Sequence, residues 1–298
     1  MIPIFMTKTT KDPTKNITDI SETLLIPLYS RAFETQSKNP IIVDKKAVEI
    51  TKEMNKTFEK STSELHQKLA KGQVRRKMSK KLNVTLALRT RKFDRYCIDF
   101  LSKNPNGIIV ELGCGLSTRF PRIDNGKVEW FDLDFPEVIE IREKFFKETK
   151  RYHFIRSSVL DFKWMNQLKN QNKNFLFIAE GLLMYLYEDE VKNLILELQK
   201  NFPGCELACE MANAYVVKVL KRKLWKKKFQ RDFHLGKDAT FNFGIKDAVE
   251  LEKWNEGIEF LDEWTYFDDK EKKLGWMNLF GRFEKLKKAQ WITHYKLK

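Results

Sequence analysis

A short, mostly apolar run that ends in two closely spaced glycines constrains the fold of this chain more than any other feature of its sequence. The run is Ile108–Leu112, and Gly113 and Gly115 follow it. Such a run is typical of a buried strand in a parallel sheet. Glycines at its end let the backbone turn sharply and approach a ligand, because a Cβ atom there would collide with it. We therefore predict a strand that carries a binding turn.

Further candidate strands alternate with helical patterns along the chain. Helices are predicted to begin near Pro136 and to span Glu188–Asn201, each between two strands. This alternation predicts a parallel α/β sheet. We expect the last two strands to be antiparallel to each other. The seven candidate strands are Ile108–Leu112, Val128–Leu133, Tyr152–Ile155, Phe175–Ala179, Cys205–Met211, Ile258–Tyr266 and Trp291–Leu297.

The rest of the sequence divides into a helical N-terminal part and a basic insertion. Apolar residues recur at three- and four-residue steps through most of the first hundred residues, which predicts helices. We expect this helical part to span residues 1–103 and the α/β core to span 104–298. The segment Lys218–Arg231 has eight basic residues in fourteen and no acid. Its apolar spacing predicts an amphipathic helical insertion at about residues 214–250.

An acidic residue on the second candidate strand strengthens the case for a binding turn. Asp134 stands 21 residues beyond Gly113, which is the separation at which a carboxylate holds the hydroxyls of a ribose. The third glycine of a dinucleotide motif is missing, and no phosphate-binding GxxxxGK[ST] run occurs. A ligand with a ribose and no phosphates is therefore favoured, and S-adenosylmethionine is such a ligand.

The pattern of cysteines, histidines and apolar residues excludes several classes of protein. The four cysteines form no CxxC pair, and with four histidines they give no zinc-type spacing. We therefore predict no metal site and a location in the reducing cytoplasm. No stretch approaches the roughly 18 apolar residues of a membrane span. The N-terminal residues lack the basic region and cleavage site of a secretory signal.

Several ordered motifs resemble the leucine carboxyl methyltransferase family, and within it the bacterial branch similar to polyketide O-methyltransferases. The resemblance covers most of the chain and implies a class I methyltransferase fold. This fold is a Rossmann-like, seven-stranded mixed sheet with helices on both faces, and its methyl donor is S-adenosylmethionine. The motifs are ISETLLIPLYSRAFE from Ile20, ALRTRKFDRY from Ala87, VELGCGLSTRF from Val110, WFDLDFPEVIEIR from Trp130, SSVLDFKW from Ser157 and AEGLLMYL from Ala179.

The resemblance implies roles for residues near the glycine turn. Gly113 and Gly115 match the turn itself, and the backbone of Cys114 lies beside the methionine part of the cofactor. Asp134 matches the acid that binds the ribose hydroxyls. Asp132, two residues earlier on the same face of the strand, is the alternative.

Charged residues elsewhere match the two ends of the methionine part. Arg89 matches an arginine that pairs with its carboxylate, which a guanidinium binds through two hydrogen bonds; Arg91 is the alternative partner. Glu180, after the fourth strand, matches an acid near the cofactor's ammonium group. Glu111, inside the first strand, either supports the glycine turn or contacts the ligand.

Two further groups of residues complete the expected site. Leu160 and Asp161, which we place at the end of the third strand, match the position that contacts adenine. Tyr185 either packs in the core or offers a hydroxyl to the acceptor. In this family the N-terminal helices cover the site, so Tyr29 and Arg31 are candidates to line the acceptor pocket. None of the scattered histidines is expected to act as a general base.

The predicted activity is methyl transfer to an oxygen of a small molecule, either a carboxylate or a hydroxyl. A carboxylate is already ionised at neutral pH and needs no base, so the lack of a clear base favours it. The basic segments favour an anionic acceptor. The alternatives are methylation of a protein C-terminus and, given a net charge of +15, an RNA-binding protein that uses the basic segments Lys71–Lys81 and Lys218–Arg231. Nucleic acid is disfavoured because the aromatic residues of the second segment are spaced to pack rather than to stack on bases. No membrane partner is expected.

Overall fold

The structure is a computed structural model and describes residues 22–61, 63–71, 80–168, 173–221 and 240–298. The first of these ranges are helical, as predicted. The helices are α1 (Glu22–Thr35), α2 (Lys45–Phe58), α3 (Glu64–Ala70) and α4 (Lys80–Lys103). Most of both basic segments lies outside the described residues. None of the helices in the described ranges is long and apolar enough to cross a membrane.

Seven strands form one mixed sheet in the order β3-β2-β1-β4-β5-β7-β6. The strands β1 to β5 are parallel to one another, whereas β7 runs antiparallel to both β5 and β6. This confirms the predicted class I methyltransferase sheet and the antiparallel last pair. The strands are β1 (Ile108–Leu112), β2 (Glu129–Asp134), β3 (Tyr152–Arg156), β4 (Phe175–Ala179), β5 (Cys205–Ala212), β6 (Ile258–Trp264) and β7 (Gln290–Leu297).

The two central strands read as apolar runs because both of their faces are covered. Every residue of β1 and of β4 is buried, as is expected where helices pack on both sides of a parallel sheet. The chain reverses its direction of winding between these two strands. The crevice beside the carboxyl ends of strands at such a reversal is where ligands bind in open α/β sheets. Gly113 and Glu180 follow directly on β1 and β4 and therefore lie at this crevice.

The helices after the glycine turn follow the predicted alternation. Short 3₁₀ segments span Phe162–Gln167, Leu183–Tyr185, Ala248–Lys253 and Lys272–Arg282. The α-helices are α5 (Phe120–Ile123), α6 (Pro136–Arg142), α7 (Glu188–Asn201), α8 (Ala214–Leu220) and α9 (Glu284–Lys287). Proline begins α6, where its missing N–H costs no helical hydrogen bond. Two of the predicted helices, α6 and α7, are thus confirmed.

The N-terminal helices share a hydrophobic core with one face of the sheet. This core contains Leu28 of α1, Met54 of α2 and Phe93 of α4 together with Trp130 and Ile178 of the sheet. The predicted division after residue 103 coincides with the end of α4. Because the buried core continues across that point, the division into two units stays a prediction.

Candidate cofactor site

The turn after β1 adopts a conformation that its two glycines permit. Gly113 has a φ of 64° and Gly115 a φ of 50°, in the left-handed region that side chains with a Cβ atom rarely adopt. A Cβ atom on Gly113 would lie 3.0 Å from Leu182, and one on Gly115 would lie 3.0 Å from Leu24 of α1. The backbone is therefore closely packed by these two leucines, and a residue with a Cβ atom would displace them.

Asp134 at the end of β2 is fixed against this turn. The backbone N–H of Gly115 donates to its Oδ2 at 2.7 Å, and the N–H of Phe135 donates to its Oδ1 at 2.8 Å. Burial raises the pKa of the Asp134 carboxyl, and these two N–H groups oppose the rise. The structure thus brings together the predicted turn and the predicted ribose acid, with the carboxylate held in one orientation.

Asp132 has a different role from Asp134. Its side chain is buried and accepts a hydrogen bond from Trp130 Nε1 at 3.0 Å, and it also pairs with Arg142 and with the hydroxyl of Tyr152. These contacts engage both oxygens of the Asp132 carboxylate. The alternative assignment of the ribose acid to Asp132 is therefore not supported by its position.

Arg142 of α6 binds the backbone of the glycine turn. The sequence analysis did not identify this residue. Its Nη1 donates to the carbonyl oxygens of Gly115 at 2.8 Å and of Ser117 at 2.9 Å. The guanidinium is buried beside Asp132 and Tyr152. The one sequence feature that could have identified Arg142 is its place at the end of the motif that begins at Trp130. Its partners are backbone oxygens, which no residue type in the sequence reveals.

Arg89 of α4 reaches the crevice, and Arg91 does not. The Nε of Arg89 donates to Glu180 at 2.8 Å, and its Nη1 donates to Glu210 of β5 at 3.0 Å. Its Nη2 has no hydrogen-bond partner within the described ranges and is available to a carboxylate ligand. Arg91 instead pairs with Asp269 and is 40% exposed. Position along the helix thus distinguishes the two arginines.

Glu180 lies between two arginines. It accepts from Arg89 and pairs closely with Arg119, which follows the glycine turn. Although burial opposes ionisation, these two guanidinium groups lower the pKa of the Glu180 carboxyl to about 2. The residue is therefore an anion at any pH near neutrality.

Glu111 is buried within β1 and only half paired. One oxygen pairs with Arg119, while the other, Oε2, is buried and has no hydrogen-bond partner among the described residues. Burial raises the pKa of this carboxyl to about 7 against the attraction of Arg119. An unpartnered buried oxygen is unusual in a folded protein. Two roles were left open for Glu111. Its unpartnered oxygen Oε2 favours contact with a ligand, whereas its pair with Arg119, which follows the glycine turn, favours support of that turn.

These pairs belong to one continuous series of alternating charges, which we call the arginine–carboxylate chain. Each member contacts the next directly, from α1 to β5. With Glu111 attached to Arg119, the series holds four arginines and five carboxyl groups, so its net charge is negative when Glu111 is ionised, and a ligand's positive charge then complements it. In order, the members are Arg31, Asp44, Arg122, Asp94, Arg119, Glu180, Arg89 and Glu210.

The two residues predicted to line the acceptor pocket, Tyr29 and Arg31, are both buried. Tyr29 is buried inside the N-terminal helices, where its hydroxyl donates to Asn55 Oδ1 at 2.6 Å and burial raises its pKa. Arg31 is also buried, and its Nη2 donates to the carbonyl of Leu116 at 2.8 Å. Neither side chain is exposed to an open pocket: Tyr29 is bonded within the helical cover, and Arg31 is bonded to the backbone that follows the glycine turn.

Tyr185 lies near Glu210 and Arg89 of the arginine–carboxylate chain. It ends a 3₁₀ turn rather than an α-helix, packs edge-on against Phe241 and is partly exposed. Burial raises the pKa of its hydroxyl to about 12, and the nearby charges of Glu210 and Arg89 act on it in opposite directions. Its hydroxyl is thus close to the arginine–carboxylate chain and protonated at neutral pH.

The remaining predicted residues lie around the turn and beyond β3. Cys114 is buried, and burial raises the pKa of its thiol, as suits a small packing residue. Leu160 and Asp161 do not end β3, which stops at Arg156; this part of the prediction was wrong. They lie in the turn that follows, where Asp161 caps a 3₁₀ segment, because Ser157 and Ser158 already form the turn out of the strand.

A groove of about 250 Å³ lies beside α8, which begins shortly after the end of β5. Lys218 and Lys221 of α8 line one wall, and Glu188 and Asn242 also belong to the lining. Asn242 is fixed by its N–H, which donates to the carbonyl of Met184 at 2.8 Å. The groove therefore adjoins the turn that carries Tyr185.

Comparisons with known proteins agree with this geometry. The chain is 28% identical over 258 residues to the tetracenomycin polyketide synthesis O-methyltransferase TcmP of Streptomyces glaucescens, covering 86% of each chain. It is 28% identical over 198 residues to the S-adenosyl-L-methionine-dependent methyltransferase dpfgK of Gibberella zeae, covering 62% of each. A DUF574 family protein from Streptomyces avermitilis shares the fold, with a TM-score of 0.54 and 10% identity over 84% of this chain and 97% of that one.

The family assignment rests on the region that contains the whole arginine–carboxylate chain except Glu210. Residues 25–199 match the sequence model of the leucine carboxyl methyltransferase family. This match spans more than half of the chain and includes the glycine turn, Asp134, Arg89 and Glu180. The protein therefore belongs to the leucine carboxyl methyltransferase family and is a methyltransferase.

Proposed function

We propose that this enzyme transfers a methyl group from S-adenosylmethionine to an oxygen atom of a small anionic acceptor. The observation that carries the proposal is the contact between Gly115 and Asp134, which holds a carboxylate in a fixed position beside the glycine turn. Asp134, Gly113, Cys114 and Gly115 are assigned to the nucleoside side of the cofactor.

The residues at the other end of the crevice fit the amino-acid part of the same molecule. Arg89 has an available Nη2 for a carboxylate. Glu111 has an unpartnered buried oxygen and Glu180 is ionised, which suits an ammonium group. Leu160 and Asp161 are assigned to the adenine side because they follow the strand next to β2 in the sheet.

When bound, S-adenosylmethionine supplies a methyl group on a positively charged sulfur, which makes the thioether a ready leaving group. The protein then has to hold donor and acceptor in line and exclude water. Leu24 and Leu182 lie against the two glycines of the turn and give this part of the site an apolar wall. Arg142 and Arg31 fix the backbone oxygens of the turn, so it needs little rearrangement when the cofactor binds.

The acceptor is proposed to be a small carboxylate that enters through the groove beside α8. Lys218 and Lys221 give this groove a positive wall, which attracts an anion. A carboxylate is ionised at neutral pH and needs no general base. A phenol, with a pKa near ~10, would need one, and Tyr185 with a pKa of about 12 is protonated and does not supply it.

The decisive experiment has a binding part and a turnover part. Calorimetry should show that the wild type binds S-adenosylmethionine and S-adenosylhomocysteine. The Asp134→Ala variant should bind ten- to a hundredfold more weakly, since a charge-assisted contact contributes roughly 1.5 to 3 kcal/mol. An Asp124→Ala variant is the matched control, because Asp124 forms a partly exposed pair with Arg151 before β2. If the wild type binds neither S-adenosylmethionine nor S-adenosylhomocysteine, the proposal is refuted.

The turnover part compares acceptors of three kinds. Aromatic and aliphatic carboxylic acids should be methylated, and the corresponding phenols and alcohols should not. Turnover of phenols alone would overturn the choice of a carboxylate, and turnover of peptides with a free C-terminal carboxylate would favour a protein acceptor. RNA binding that survives ~200 mM salt would favour the nucleic-acid alternative, which we rank below a small molecule.

We also propose that the enzyme works in the cytoplasm. All four cysteines are buried free thiols. This state is the usual one in a reducing compartment. Fractionation of the native cells, with detection of this chain, tests the location.

A further inference from the structure

The N-terminal helices contact the glycine turn through two buried charged residues that the cofactor does not touch in the assignment above. Arg31 of α1 pairs with Asp44 at 3.0 Å, and both side chains are almost fully buried. A second nitrogen of Arg31 donates to the carbonyl of Leu116, the residue after Gly115, at 2.8 Å. The cover is thus linked to the turn by a direct hydrogen bond.

Asp44 extends this link to the residues that follow the turn. Its Oδ2 accepts from Arg122 Nη1 at 2.7 Å and also from the hydroxyl of Thr118. Its Oδ1 accepts from the N–H of Ala47 at 2.9 Å and so caps α2. Burial would raise the pKa of this carboxyl, but Arg122 and Arg31 lower it, so Asp44 is ionised.

From Arg122 the contacts continue to the groups assigned to the methionine part. Arg122 donates to Asp94 at 2.8 Å, and Asp94 accepts from Arg119 at 2.8 Å. Arg119 in turn pairs with Glu111 and Glu180. Asp44 therefore reaches the crevice by two routes: through the backbone of the turn and through the arginine–carboxylate chain.

We propose that Asp44 and Arg31 are positioning residues, which couple docking of the N-terminal helices to binding of S-adenosylmethionine. This inference rests on the proposed function, because it takes the glycine turn as the cofactor site. Removing the charge of Asp44 leaves Arg31 and Arg122 without their shared carboxylate, so the backbone at Leu116 and the side chain of Arg119 lose their fixed positions. Coupling is reciprocal, so the cofactor must stabilise the docked helices to the same extent.

The test uses the full chain and the Asp44→Asn variant. Asparagine still caps a helix well, so α2 keeps its cap while the charged contacts are lost. We expect the affinity for S-adenosylhomocysteine, measured by calorimetry, to fall at least fivefold, within the usual range of coupling between sites. The Michaelis constant for S-adenosylmethionine should rise, with little change in kcat at saturation.

The matched control is Tyr29→Phe, which breaks a hydrogen bond within the same helices but touches neither the turn nor the arginine–carboxylate chain. It should lower the melting temperature without weakening S-adenosylhomocysteine binding. Equal loss of affinity in both variants would mean that general stability of the cover, and not this contact, determines binding. If Asp44→Asn does not fold, Arg31→Lys replaces it, because lysine keeps the charge beside Asp44 but cannot also donate to the carbonyl of Leu116, as the guanidinium does through a second nitrogen.

Hydrogen exchange supplies the reciprocal measurement. In the wild type, saturating S-adenosylhomocysteine should slow exchange of the amides of α2, and in Asp44→Asn it should no longer do so. Wild-type binding together with unchanged affinity and unchanged protection in the variant would overturn this inference alone. Absence of binding in the wild type would instead overturn the proposed function.

Discussion

Arg89 and Glu180 form a direct ion pair at the crevice, in which Nε of Arg89 donates to Oε1 of Glu180 at 2.8 Å. The sequence resemblance assigns the first to a carboxylate ligand and the second to an ammonium ligand. The amino-acid part of S-adenosylmethionine carries both groups, so a fixed pair of opposite charges presents complementary partners to each. Mutual pairing holds both side chains in place before the ligand arrives, which reduces the entropy lost on binding.

Replacing Arg89 by methionine should weaken binding of S-adenosylhomocysteine ten- to a hundredfold, because a charge-assisted contact contributes roughly 1.5 to 3 kcal/mol. Arg91→Met is the control on the same helix, since Arg91 is exposed and pairs with Asp269; it should change affinity less than twofold. Calorimetry measures both. Equal effects of the two substitutions would contradict the assignment of Arg89. Arg89→Met should also be less stable, because Glu180 and Glu210 lose a buried partner.

Gly115→Ala should impair both stability and cofactor binding. Alanine in the left-handed region costs about 1 to 2 kcal/mol, and the added methyl group would meet Leu24 at 3.0 Å. Gly126→Ala provides the control, since Gly126 has a φ of 79° and no atom within 4 Å of an added Cβ. The control should show a loss of stability alone. If both variants bind S-adenosylhomocysteine with wild-type affinity, the turn is not the binding site.

Glu180 should contribute stability that depends on pH. Its folded pKa of about 2 lies below the ordinary value of 4.5, so its contribution is fully present above pH 4.5 and is lost as the pH falls through 2. Relative to Glu180→Gln, linkage gives roughly 3 kcal/mol at pH 7 and less than half of that at pH 3.

Urea unfolding at several pH values between 7 and 3 measures this difference. Glu256→Gln, at an exposed position, should follow the wild type throughout. A gap between wild type and Glu180→Gln that stays constant over the whole range would show that the two arginines do not hold Glu180 ionised.

Charge reversal at the groove should affect the acceptor and leave the cofactor unaffected. Lys218→Glu with Lys221→Glu replaces the positive wall by a negative one, so the Michaelis constant of a carboxylic acid substrate should rise roughly tenfold or more. The affinity for S-adenosylhomocysteine should stay within twofold. Lys200→Glu, on the exposed face of α7, is the control. An unchanged Michaelis constant would remove the groove from the acceptor path.

The pattern of apolar runs was sufficient to predict the sheet, because strands covered on both faces are apolar along their whole length. The predicted strands Phe175–Ala179 and Tyr152–Ile155 match β4 and β3 to within a residue. Leu160 and Asp161 were wrongly placed at the end of β3, which stops at Arg156. The apolar run itself ends at Ile155, so composition located this strand more accurately than the motif match located the residues that follow it.

The sequence by itself determined the glycine turn, the acid 21 residues beyond it and the order of strands and helices, because each depends on local conformation or on burial repeated along the chain. Only the tertiary structure decided which charged residues meet. Arg89 and Arg91 differ by two positions, yet one reaches Glu180 and the other Asp269. Asp44 and Arg122 are 78 residues apart and share one hydrogen bond. Contacts of this kind depend on how helices pack on a sheet, so they cannot be predicted from the spacing of residues along the chain.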